Sequence, residues 1–109
     1  MVRQGDIIKI SFDPQAGREQ KGTRPGLVIS NDFFNQKARL AIVCPITNTN
    51  KSFPLHVPLD DSTKTTGVVL CEHVRTLDVE ARGYEIIESI PKSILDKVLS
   101  TVFAEIETE

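Results

Sequence analysis

The feature that most constrains this chain is a succession of short apolar runs, each too brief for a helix and each closed by a turn signal. In Gly5-Asp6-Ile7-Ile8-Lys9-Ile10-Ser11-Phe12, residues Ile8, Ile10 and Phe12 alternate with polar neighbours, the period of a half-buried strand. Further runs at residues 26–30, 39–44 and 55–59 read as strands, and residues 67–77 hold a fifth strand with room for a sixth. Only the end of the chain changes period. Ile94, Leu95, Val98, Leu99, Val102, Phe103 and Ile106 form the stripe of an amphipathic helix. Pro91 suits its first turn and Ser89 is placed to help cap it. A mainly β fold is expected, a small antiparallel barrel with a C-terminal helix over one mouth or on its flank.

With 109 residues, 39% of them hydrophobic, residues 1–109 are expected to form a single domain. A net charge of −2 excludes both polycation and disordered behaviour for the whole chain. No apolar run nears the roughly 20 residues of a membrane helix, and residues 1–10 lack a signal-peptide core, so a cytoplasmic location is expected. Cys44 and Cys71 lie in apolar runs outside any CxxC pair, which points to reduced core residues rather than a zinc site. Charge is unevenly placed. Residues 1–59 carry eight Lys/Arg against four Asp/Glu, whereas residues 60–109 carry five against eleven. A phosphate-binding surface should therefore draw mainly on the first half.

Two long loops, residues 13–23 and 46–54, carry the distinctive chemistry. The first brings together Arg18, Glu19, Lys21 and Arg24 with Gly17 and Gly22. Arg24 stands out: Pro25 biases it to extended geometry, and its planar fork matches phosphate oxygens. It could equally be a surface cation paired with Glu19. The second loop offers Thr47, Asn48, Thr49, Asn50 and Lys51 at a strand end. Thr47 could hold a phosphate oxygen or simply satisfy a local turn. Of the two histidines, His56 reads as a bystander and His73, beside Glu72, as a ligand contact.

Taken together, Gly5-Asp6-Ile7, Asp13-Pro14, Gly17-x-Glu19-Gln20-x-Gly22-x-Arg24-Pro25, Val43-Cys44-Pro45-Ile46-Thr47, Thr66-Gly67-Val68-Val69-Leu70, Arg75-Thr76-Leu77-Asp78 and Ala81-Arg82-Gly83 resemble the MazF/PemK/Kid toxin family, in family order over nearly the whole chain. The resemblance implies an SH3-like barrel with a C-terminal helix, working as a homodimer. It implies a toxin of a type II toxin–antitoxin system, held inactive by a MazE/PemI-like antitoxin. The activity implied is a sequence-specific, metal-independent endoribonuclease acting on single-stranded mRNA, with no cofactor. It assigns catalysis to Arg24 and Thr47; Glu19, the nearest candidate in sequence, is read as the base, although it could instead pair with Arg24 or Lys21. RNA contacts are expected from Arg18, Gln20, Lys21, Asn48, Thr49, Lys51, Glu72 and His73. The Kid-like branch has a histidine, an arginine and an aspartate where this chain has Arg18, Leu70 and Glu72, which favours the Arg24/Thr47 arrangement. A CcdB-like gyrase poison and a plain binding module are the competing readings of the same fold.

Overall fold

β1 (Asp6–Ser11) turns back through the first long loop into β2 (Thr23–Val28), and β3 (Ala41–Thr47) lies on the other side of β2. In this computed structural model, residues 1–49 and 53–109 are described. β3 is the hub. β6 (Arg75–Leu77) pairs with its first half, and β5 (Val68–Leu70) with its last residues. β4 (His56–Pro58) extends the sheet beyond β5, and β7 (Glu85–Ser89) extends it beyond β1. Every pairing is antiparallel, as expected from the hairpin-like spacing.

The sheet buries both faces. Ile7, Leu27, Cys44, Ile46 and Val69 point one way, under Ile94 and Val98 of α3 (Lys92–Ile106). Their chain neighbours Ile8, Val28 and Val43 point the other way, as alternation requires, and meet Ile10, Phe12, Ala41 and Leu77. Val79 of α2 (Val79–Arg82) closes this second core. Gly26 is needed here: a Cβ would sit 2.6 Å from Val43 Cγ1 and 2.9 Å from Phe12 Cζ.

Several local expectations change. The expected helix begins at Lys92, and Pro91 stands just before it at the N-cap rather than within the first turn. Ser89 does not cap it; its hydroxyl donates to Asp6 Oδ1 at 2.9 Å. The run at residues 67–77 is broken by a 3₁₀ turn at Cys71–His73. The first long loop runs over residues 12–22, one position earlier than expected, because β1 ends at Ser11 and Thr23 opens β2, and Ile46 and Thr47 belong to β3 rather than to the second loop. A helix α1 (Asp32–Ala38) also forms, capped by Asn31, whose side chain accepts from the Phe34 N–H.

Candidate active site

Arg24 and Thr47 lie on neighbouring strands. β2 and β3 pair Val28 with Val43, Leu27 with Cys44 and Gly26 with Pro45. Arg24 stands two residues before Gly26 in β2 and Thr47 two residues after Pro45 in β3, so alternation gives both the face of Gly26 and Pro45. The ladder records no pair beyond Pro45, which has no N–H to give. Arg24 also faces Ile10 in β1. Its Nε donates to Lys21 O at 3.0 Å, and among the described residues its terminal nitrogens have no hydrogen-bond or ion-pair partner. Thr47 is 9% exposed, and its Oγ1 accepts from the Thr49 N–H at 3.1 Å. Behind it stands Gly67 at φ +115°, where a Cβ would lie 2.4 Å from Thr47 O. Thr66 Oγ1 donates to Asn48 Oδ1 at 2.9 Å, tying the end of β3 to the start of β5.

The first loop is organised by its own backbone. Phe12 N–H donates to Gly22 O, and Gly22 N–H donates to Asp13 Oδ1, so its base is closed. Glu19 is not paired with Arg24 or Lys21 among the described residues; its Oε1 accepts from the Ala16 N–H at 2.8 Å. Arg18, Glu19 and Lys21 are exposed and Gln20 is half-buried, as are Glu72 and His73, whereas Asn48 and Thr49 are exposed. Lys51 and Asn50 lie outside the described residues.

Both histidines meet one carboxylate. His56 Nε2 lies 2.8 Å from Glu72 Oε2, while His73 Nε2 lies 3.8 Å from the same oxygen. Glu72 is thus turned toward β4, and His56 is its partner. Phe53, 46% exposed, meets His56 edge-on at 5.2 Å between ring centres. Such an edge is recognisable only once β4 and the 3₁₀ turn are known to be neighbours. The Glu105 carboxyl near the end of α3 is pushed up by burial and by the Glu72 charge.

Both cysteines are free and buried. Burial pushes the Cys71 thiol up to about 12 and the Cys44 thiol higher still, so neither is a nucleophile near neutral pH. Among the described residues no group of three or more His, Cys, Asp or Glu could hold a metal ion. A groove of about 640 Å³ lies between the N-terminus, α1 and α2, but no candidate residue lines it.

The profile of the PemK-like, MazF-like toxins of type II toxin–antitoxin systems matches residues 3–104. The chain belongs to this family. It is 41% identical to endoribonuclease PemK of Escherichia coli over 102 residues, 90% of this chain and 77% of that one. A crystal structure of MazF from Deinococcus radiodurans superposes with a TM-score of 0.90 at 35% identity, covering 95% of this chain and 94% of that one. The toxin also matches a MazE–MazF structure from the same organism, with a TM-score of 0.85 at 33% identity over 99% of this chain and 97% of that one. These likenesses favour the endoribonuclease-toxin reading over the gyrase-poison alternative.

Proposed function

We propose that residues 1–109 act as one toxin domain that cleaves single-stranded RNA, with Arg24 and Thr47 acting on one phosphodiester. The observation that supports this reading is that Arg24 and Thr47 each stand two residues beyond the Gly26–Pro45 pair on neighbouring strands, with no partner for the Arg24 terminal nitrogens among the described residues. RNA brings its own nucleophile. The 2′-oxygen forms a bond to the adjacent phosphorus, the bond to the 5′-oxygen breaks, and a 2′,3′-cyclic phosphate and a 5′-hydroxyl result. The proton leaves the 2′-hydroxyl for a base and another is delivered to the 5′-oxygen. This chemistry needs alignment and charge stabilisation rather than a metal. Alignment is worth roughly 7–11 kcal/mol in favourable intramolecular cases, and a preorganised donor roughly 3–4 kcal/mol.

In this mechanism Arg24 stabilises charge on the phosphoryl oxygens and Thr47 orients the same phosphate. Glu19, exposed on the adjoining loop, is the candidate base. Arg18 and Lys21 hold the RNA backbone, while Gln20, Asn48, Thr49, Glu72 and His73 read base edges, and Phe53 offers a stacking face. Lys51 belongs to the same proposed set. The toxin works in the cytoplasm, where its mRNA substrate is, and a MazE/PemI-like antitoxin restrains it. Phe103 and Ile106, 55% and 74% exposed on α3, support a homodimer.

The test is to incubate purified protein with a long RNA in EDTA and sequence the new 5′-hydroxyl ends. Cleavage at a recurrent motif supports the proposal. Intact RNA refutes it, and gyrase trapped on DNA would establish the poison reading instead.

A further inference from the structure

Two arginines outside the proposed catalytic set converge on one short stretch of backbone. Arg75 Nη1, from β6, donates to Phe12 O, and Arg82 Nη1, at the end of α2, donates to Ser11 O at 2.9 Å and also to Asp13 O. Three successive carbonyls at the end of β1 are thereby held by two guanidiniums more than 60 residues away in sequence. Arg75 pairs with Val43 on the edge of β3 away from β2, and its guanidinium reaches Phe12, the residue after β1. Among the described residues neither arginine has a carboxylate partner. An ion pair is therefore not the reason for their placement; the carbonyls are.

Those carbonyls adjoin the residues that set Arg24. Ser11 pairs with Thr23 and Ile10 with Arg24, and Phe12 N–H holds Gly22 O at the base of the loop. We propose that Arg75, assisted by Arg82, is a positioning residue for Arg24: it fixes the end of β1, and through the β1–β2 pairing it fixes where the Arg24 guanidinium stands relative to Thr47. This rests on the proposed ribonuclease reading for its kinetic consequence, but not for its structural one. Displacements of about 1 Å at such a site cost on the order of 100-fold in rate.

The experiment compares Arg75→Gln and Arg75→Lys with the wild-type protein on a short oligonucleotide spanning a mapped cleavage site. The Lys variant keeps the charge and loses the planar fork; the Gln variant loses both. If Arg75 positions Arg24, kcat falls at least tenfold in both variants while KM stays within about threefold. The Arg24 Nε–H resonance, which reports its bond to Lys21 O, shifts in both variants while core amide resonances of β2 and β3 keep their positions. A folded variant with normal kcat and an unmoved Arg24 resonance overturns the proposal. A rise in KM in Arg75→Gln alone, with a shallower salt dependence, also overturns it, because that pattern marks a direct phosphate contact. Should the wild-type protein leave RNA intact, the ribonuclease reading fails by itself, and the Arg24 resonance still decides whether the clamp positions it. If Arg75→Gln does not fold, Arg75→Lys carries both readouts.

Discussion

Arg24 and Thr47 depend on their neighbours in different ways. Arg24 is anchored by one Nε bond to Lys21 O, and among the described residues its remaining donors have no partner. Replacing it with Ala removes one preorganised donor and should reduce cleavage at least ~100-fold with little change in melting temperature; rate constants and thermal melts on the same preparation check both halves. Thr47 instead depends on what is absent beside it. Gly67 adopts φ +115°, closed to L side chains, and its missing Cβ leaves room for the Thr47 carbonyl. Gly67→Ala should therefore destabilise the fold by about 2 kcal/mol and lower its melting point by roughly 10 °C. Because the strain falls on the backbone of Thr47, cleavage measured below the transition should drop as well. At this scale the sequence was informative about side chains whose chemistry is unusual in itself. It did not reveal the contact of His56 with Glu72, 16 positions later.

Elements were legible where burial imposes a period. β1 and α3 each press an apolar face on a core, and that face is visible in the spacing of their apolar residues. β7 leaves the chain on an exposed edge, with Ile86 and Ile87 48% and 41% accessible, so no alternation marks it. α1 buries only Asn35 and leaves Phe33 exposed; the cap at Asn31 and the left-handed Arg39 define it instead. β7 nevertheless has a mechanical role. Glu88 accepts from the Lys64 N–H and from the Thr65 N–H and hydroxyl, holding the segment that leads into β5. Desolvation pushes the Glu88 carboxyl up, but these hydrogen bonds to Thr65 and Lys64 outweigh it and leave it below its ordinary 4.5. A carboxyl lowered by folding contributes stability above its unfolded value, and that contribution is lost as pH falls through the folded value. Amide exchange at Lys64 and Thr65, corrected for intrinsic rates, should therefore accelerate as pH drops below 4.5. In Glu88→Gln it should start faster and lose most of that pH dependence.

For the whole molecule, folding redistributes charge that the linear sequence separates. The chain runs from a basic first half to an acidic second half, which suggested a phosphate surface drawn from residues 1–59. Arg75 and Arg82 come from the other half, yet they reach the end of β1 beside Arg24. No reading of local pattern could place them there, because their partners are backbone carbonyls, which every residue has. Their guanidiniums add positive potential at the root of the loop, while Arg18 and Lys21 stand exposed farther along it. These groups differ in what they can do for a bound strand. An exposed cation that meets a phosphate releases counterions, and for single-stranded nucleic acid each such contact steepens the dependence of log affinity on log salt by about 0.7. Arg18→Gln should thus weaken RNA binding at low salt and flatten that dependence by about 0.7, leaving kcat unchanged. Titrating a non-cleavable RNA, with the reacting 2′-hydroxyl replaced by hydrogen, over a series of salt concentrations measures the slope without interference from cleavage. An unchanged slope would mean that Arg18 does not face the RNA.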